Sequence, residues 1–211
     1  MKKSVFIVLV MMFALTAFCS GKKDKILLPK PDLKSGKPLM QCVFQRRSSR
    51  SFSHRALPLQ TVAEVLFVAD GMTRKDGRKT VPTARNVRNQ SVYAFMADGV
   101  YLYNSRKHSL ERVLKGDHRA QCGRQAFHKT APLVLVFVSN MKAVGDTKEL
   151  QALYAGNHSG SASQNVYLYA ASKGLSTVVC GLLDRKKLEA LLKLPASHKV
   201  IFSQPVGFPG E

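Results

Sequence analysis

Residues Gln45 to Phe52 read QRRSSRSF, three arginines and three serines within eight positions. A phosphate monoester is held by planar guanidinium forks, short hydroxyls and backbone N–H groups gathered closely, and Arg46, Arg47, Ser48, Ser49 and Arg50 offer all three. A wet basic loop has the same composition, so the stretch alone leaves both readings open. Other chemistry is sparse. No Ser-His-Asp arrangement or paired carboxylates are visible, no cysteines have C-x-x-C spacing and no histidines follow at finger spacing, which argues against a hydrolytic centre and a structural zinc. His54, His108, His118, His128, His158 and His198 are scattered in mostly polar surroundings and read as surface residues. Of these, His158 in AGNHSGS sits where a loop would border a substrate opening.

The elements that must position this loop follow from periodicity. Val62, Val65, Leu66 and Ala69 share one helical face, Thr61 and Glu64 form a capping box, and Asp70-Gly71 ends the helix. Gly71 to Lys79 is a polar loop. SVYAFMADGVYLYN is two β-rich runs around Asp98-Gly99, a dipeptide typical of two-residue hairpin turns. A short helix is expected over Arg119 to Phe127. After Pro132, LVLVFVS is apolar on both faces, as a central strand would be. Val166, Tyr169 and Ala170 form a helical stripe that stops at Gly174, and LSTVVCGLL reads as another buried strand. Asp184 caps RKKLEALLKL, Pro195 ends it, and KVIFSQPVGFP supplies the last strand. This irregular alternation argues for an α+β domain with one mixed sheet. No G-x-G-x-x-G follows a strand, so a nicotinamide-binding Rossmann unit is not indicated.

The 211 residues are 45% hydrophobic, enough for the core of one domain. Against 13 Asp+Glu stand 33 Lys+Arg, and the formal net charge of +20 attracts polyanions, anionic lipid headgroups and phosphorylated small molecules alike. No nucleic-acid reader motif accompanies that charge, and nucleic acid is not expected as a partner. The opening MKKSVFIVLVMMFALTAFCS sets two lysines before an apolar run from Val5 to Phe18, which reads as an export signal over residues 1–19. The run is shorter than the ~20 residues of a spanning helix, so the expected destination is periplasmic or lipid-anchored to the cell envelope. Cys19 stands where the lipid-modified residue of a lipoprotein would be, although Phe18 is larger than such processing prefers; anchoring and simple release both stay open. Residues 20–40, rich in Lys, Pro, Gly and Ser, read as a tether or extended arm, and residues 41–211 as the folded domain. Cys42, Cys122 and Cys180 remain after processing, and their spacing selects no pair.

Four segments occur in order: RRSSRSF, TVPTARN at Thr80 to Asn86, SQNVYLYAASKGLSTVVCGLLD at Ser163 to Asp184, and the terminal QPVGFP. In that order they resemble the nitroreductase family of flavoproteins over Gln45 to Pro209, most closely the short branch that includes the thiazole- and oxazole-forming dehydrogenases. The resemblance implies a nitroreductase-like fold, with a mixed, mainly antiparallel sheet flanked by helices, and flavin mononucleotide (FMN) at the interface of an intertwined homodimer. By position, it implies that Arg46 and Ser48, with Arg47, hold the flavin phosphate and that Arg50 reaches the pyrimidine edge of the ring. Asn86 would hydrogen-bond the ring, while Val179, Cys180 and Gly181 would lie against it through their backbone. A cation beside the ring's N1 and O2 favours the anionic reduced flavin. Cys180 has no histidine or cationic cluster beside it in sequence and is not expected to be a nucleophile. Relatives often add a Lys or Arg to the phosphate after the last strand, where this sequence reads Gly210-Glu211.

The function so implied is that of an exported FMN-dependent oxidoreductase working by ping-pong hydride transfer through flavin N5. The donor would be NADH or NADPH, or another partner where nicotinamides are scarce, and the acceptor an electron-poor quinone or nitroaromatic. No catalytic side chain is required. The competing reading, from charge, is a flavin-free basic protein of the same fold that engages an anionic polymer or membrane surface. Arg74, Lys75, Arg78 and Lys79 exceed the needs of one cofactor and read as a solvated face, one that would lie against anionic lipid if Cys19 is acylated.

Overall fold

The computed structural model describes residues 24–210; the expected export signal, Cys19 and Glu211 lie outside the described residues. In chain order the elements are β1 (Lys25–Leu27), α1 (Leu39–Gln45), α2 (Leu59–Asp70), β2 (Gln90–Met96), β3 (Gly99–Asn104), β4 (Ser109–Lys115), α3 (Phe127–Thr130), β5 (Leu133–Asn140), α4 (Lys148–Lys173), β6 (Ser176–Thr177), α5 (Arg185–Leu191) and β7 (His198–Gly207). The strands form one sheet in the order β1-β4-β3-β2-β5-β7-β6. Every pairing among the described residues is antiparallel, so the expected α+β fold is present without the parallel component of a mixed sheet.

Strand β5 lies at the centre because both its faces are apolar. Leu133, Leu135 and Phe137 join the core under α2 and α4, while Val134, Val136 and Val138 join the core on the other face with Leu183 and Leu188. The hairpin forms as expected, with the turn one residue earlier: Met96 pairs Gly99, which makes Ala97 and Asp98 the turn residues. A Cβ at Gly99 would come within 2.7 Å of the Leu114 carbonyl oxygen, so glycine is required there by the neighbouring strand. Gly174 ends α4 in the left-handed conformation, φ 68, and Asp184 accepts a hydrogen bond from the Lys187 N–H at the start of α5.

Several expectations are corrected. Helix α2 begins at Leu59 after Pro58 with no side-chain cap. Glu64 is therefore not in a capping box; it is buried and accepts hydrogen bonds from the Tyr169 hydroxyl (2.6 Å), Gln60 Nε2 (2.7 Å) and the Asp32 N–H (3.2 Å). Burial alone would raise its pKa, but these bonds outweigh it and hold the carboxyl below its ordinary range. The single helix expected at Arg119 to Phe127 is a 3-10 turn over Arg119–Cys122 followed by α3. LSTVVCGLL is not a continuous strand: only β6 pairs regularly, followed by one bridge between Cys180 and Ser203. Of the two readings of residues 20–40, the described part, residues 24–40, is an arm laid on the domain and not a free tether. Lys25–Leu27 forms the edge strand beside β4, and the arm is tied to α4 by the Lys37 N–H donating to Ser172 Oγ at 2.9 Å. Cys42, Cys122 and Cys180 are buried free thiols.

At the end of α2, Asp70 is buried against Lys79, Oδ2 to Nζ 2.5 Å, which closes the loop that leads to TVPTARN. Burial pushes the Asp70 carboxyl up to about 6, against the pull of Lys79. Between its unfolded and folded values the native state binds this proton more tightly than the unfolded chain, so the residue's contribution to stability falls as pH rises from about 4 to about 6. Urea denaturation at a series of pH values is expected to show this fall, up to about 3 kcal/mol, as the difference between the wild type and an Asp70→Asn variant.

Candidate functional site

The loop after α1 runs along the second half of α4 and beside β6. The Ser49 N–H donates to the Thr177 carbonyl at 2.9 Å, and the Ser49 and Ser176 hydroxyls are 3.0 Å apart. One residue earlier, Ser48 Oγ lies 2.8 Å from the Tyr167 hydroxyl, which also accepts the Val179 N–H at 2.9 Å. With its oxygen accepting from Val179, Tyr167 has its own proton to donate to Ser48. The Arg46 guanidinium lies 5.3 Å from the centre of the Tyr167 ring, within cation–π range. The chain end closes the other side, where the Ser53 N–H donates to the Phe208 carbonyl at 3.0 Å and Phe52 bridges Pro209.

These elements bound a cavity of about 640 Å³, lined among others by Lys37, Arg46, Arg47, Ser49, Tyr167 and Ser176. Among the described residues its wall carries three cations and no carboxylate. That donor set fits a phosphate dianion. Lys37, whose Nζ donates to Gln45 Oε1 at 2.7 Å, reaches the wall from the arm, and no sequence motif marks it. Tyr167 also went unmarked; a phenol on the buried stripe of an otherwise small-residue helix is the signal that identifies it, since such a hydroxyl needs a partner.

The expected cofactor residues divide. Arg46 and Arg47 line the cavity, and Ser48 and Val179 meet at Tyr167. Arg50 faces Cys180 closely enough for its charge to act on the thiol: burial pushes the thiol's pKa up, and Arg50 pulls against it. Both backbone polar groups of Cys180 are taken by Ser203, N–H to carbonyl at 2.8 Å and 3.0 Å in the two directions, so this residue offers a ring only van der Waals contact. Gly181, next along, is exposed.

Asn86 is placed elsewhere. It and Arg85 have φ of 56 and 50, the left-handed region, which asparagine tolerates better than most residues. The turn is held by His158, which is not a surface residue: the ring is buried, and Nε2 accepts the Ala84 N–H at 2.9 Å. Its proton is therefore on Nδ1, donated to Asn89 Oδ1 at 2.7 Å, and Asn89 donates in turn to Ser139 Oγ at 2.6 Å. Burial lowers the His158 pKa, which protects the neutral form that this geometry needs. His128 likewise departs from the expected surface placement. It is fully buried, donates from Nδ1 to the Gln125 carbonyl at 3.0 Å, and accepts from Ser203 Oγ at 3.2 Å.

His158 and Tyr167 both belong to α4, nine residues apart. At 3.6 residues per turn this is about two and a half turns, so the two side chains leave the helix on opposite flanks, roughly 14 Å apart along its axis. The Asn86 turn and the arginine-serine loop thus dock on opposite sides of one helix. A single chain does not bring them to the same cavity.

A mainly antiparallel sheet between two helical layers, with a basic cavity where an early loop meets the segment after β6, defines a phosphate-anchored cofactor protein. Residues 43–208 match the model of the nitroreductase family, and the chain belongs to that family of flavin-dependent oxidoreductases. It is 31% identical over 195 residues to a Methanocaldococcus jannaschii protein whose name assigns it provisionally to the nitroreductases, covering 87% of this chain and 97% of that one. A crystal structure from Ralstonia eutropha, provisionally titled a nitroreductase, shares 35% identity with a TM-score of 0.84 over 90% of this chain and 91% of that one. A Desulfovibrio desulfuricans structure, determined in complex with FMN, matches in fold at 19% identity and TM-score 0.61, over 84% of this chain and 89% of that one.

Removing the Tyr167 hydroxyl leaves the Val179 N–H without its acceptor and Ser48 without its partner. A Tyr167→Phe variant is expected to lose about 1–3 kcal/mol of stability in urea titration and to retain less flavin after gel filtration than the wild type.

Proposed function

We propose that the protein is an exported, FMN-dependent oxidoreductase that passes reducing equivalents in a ping-pong cycle from a reduced donor to an electron-poor acceptor such as a quinone or nitroaromatic. The observation that carries this reading is the cavity lined by the cations Lys37, Arg46 and Arg47, with no carboxylate among the described residues that line it, closed by the Ser49–Thr177 bond. Bound FMN supplies hydride transfer at its N5 position. The chain's own part is to hold and tune. Arg46, Arg47 and Lys37 neutralise the phosphate, Lys37 standing in for the cation that relatives place after the last strand. Arg50, beside Cys180, stabilises negative charge on the ring's pyrimidine edge, and the segment Val179–Gly181 forms the surface against which the ring rests. Within the family, the thiazole- and oxazole-forming branch is the subgroup that the motifs favour, with NADH or NADPH as the donor class.

The site is completed by a second copy. The Asn86 turn and the arginine-serine loop dock on opposite flanks of α4, so both reach one ring only if Asn86 comes from the other subunit of a homodimer. Helix α1 supports this arrangement: Met40 is 74% and Phe44 90% exposed, with Leu39 and Val43 beside them, and Phe44 also borders the cavity. An apolar helix face of this kind next to a cofactor site is what a second subunit covers. Export rests on the apolar run from Val5 to Phe18, with Cys19 as a point of lipid attachment.

The purified protein is expected to be yellow, with absorption bands at about 370 and 450 nm. An Arg46→Ala/Arg50→Ala double variant should lose the colour while keeping its far-UV circular dichroism. A colourless wild type that does not reconstitute with FMN would instead favour the flavin-free binder. Phe44→Asp places a charge on the α1 face and is expected to give a monomer by light scattering that no longer holds FMN.

A further inference from the structure

The excess positive charge is not spread evenly. Arg78 pairs with Asp76 at 3.3 Å and Lys79 with buried Asp70, so neither is free for a ligand. Lys30, Arg74, Lys75 and Arg106 have no ion-pair or side-chain hydrogen-bond partner among the described residues, and all four line one cleft of about 420 Å³. No carboxylate among the described residues lines it. Its apolar surface is formed by Phe67, Met72 and Tyr103, and one wall is fixed by His108, whose Nε2 lies 2.8 Å from the Pro29 carbonyl and Nδ1 2.9 Å from the Tyr103 hydroxyl. The cleft lies at the end of the sheet where the turn between β3 and β4 meets the arm and the loop after α2. It is separate from the proposed flavin cavity, with which it shares no lining residue.

We infer that this cleft is the face by which the protein rests on an anionic bilayer, with lipid phosphates between Lys30, Arg74, Lys75 and Arg106. The choice of a bilayer follows from the adjoining chain. Asp24 of the arm that carries Lys30 accepts through its carbonyl the Arg112 N–H on β4, next to the edge strand β1, and five residues before Asp24 stands Cys19, the proposed point of lipid attachment. Five residues span at most about 18 Å, so a lipid on Cys19 holds this edge of the sheet near the membrane. Leu27, 71% exposed on β1, lies between the two. One hydrophobic attachment is weak alone, and a basic patch beside it is the usual second contribution. The inference rests on the proposed export and anchoring of residues 1–19.

The test is vesicle sedimentation of the processed, FMN-loaded protein extracted from membranes, with phosphatidylcholine alone and with added phosphatidylglycerol. Binding to the neutral vesicles reads the lipid on Cys19; the gain on adding anionic lipid reads the cleft. At about fivefold per cation, an Arg74→Gln/Lys75→Gln/Arg106→Gln variant is expected to lose about 100-fold of that gain. A Lys142→Gln/Lys186→Gln/Lys187→Gln variant, with the same net charge, should keep most of it, and added salt should abolish it in both the wild type and this control. Both variants should retain flavin absorbance, which verifies folding. Equal losses in the two variants, or no gain with anionic lipid, would overturn the inference. Abolition of the gain by inorganic phosphate at constant ionic strength would reassign the cleft to a free anion. Absence of neutral-vesicle binding, with the protein recovered from the cytoplasm, would instead defeat the export reading while the anionic gain is scored separately.

Discussion

Three stretches distant in sequence converge on the hydroxyl of Tyr167: the arginine-serine loop through Ser48, the segment after β6 through the Val179 N–H, and α4, which carries the ring. A buried phenol with two partners fixes distances in a way that apolar contact does not, because each bond lost leaves a polar group unmatched. Everything proposed for the cavity depends on this convergence. The backbone bond from Ser49 to Thr177 then locks the loop in register, and the Arg46 guanidinium above the same ring takes its position from it.

Charge in this chain is sorted by burial. Glu64 and Asp70 are both enclosed, yet they differ in consequence: the first gathers hydrogen bonds from Tyr169, Gln60 and Asp32 that favour its ionised form, while the second is dominated by desolvation in spite of Lys79. Glu64 thereby ties the N-terminal arm to both α2 and α4, which explains how Lys37 arrives at the cavity. Of the cations without an acidic partner among the described residues, Arg46, Arg47 and Lys37 line the cavity and Lys30, Arg74, Lys75 and Arg106 line the separate cleft.

Much of the fold was legible because its signals are local. The hairpin around Asp98, the doubly apolar β5, the glycine after α4 and the aspartate before α5 each act within a few residues. What escaped was decided at longer range. Helix α1 is seven residues with its apolar side turned outward, so neither a cap nor an inward stripe announces it. Strand β1 exists because β4 has a free edge, a fact no short window contains. Thr61 and Glu64 have the spacing of a capping box, but Tyr169 and Asp32 compete for the same carboxylate and Pro58 starts the helix earlier. The buried positions of His128 and His158 depend on Ser203 and Asn89, far away in sequence, and polar neighbours in the chain concealed them. For the site, the arginine-serine loop was visible from composition, whereas Tyr167 and Lys37 became visible only with tertiary contacts.

The nine-residue interval in α4 between His158 and Tyr167 acts as a protractor. Deleting one residue within it would turn everything beyond by about 100° and shorten the axis by about 1.5 Å. Each anchored loop would survive on its own, yet the angle between them would be lost. Evolution or engineering can therefore vary the chemistry of that interval far more freely than its length.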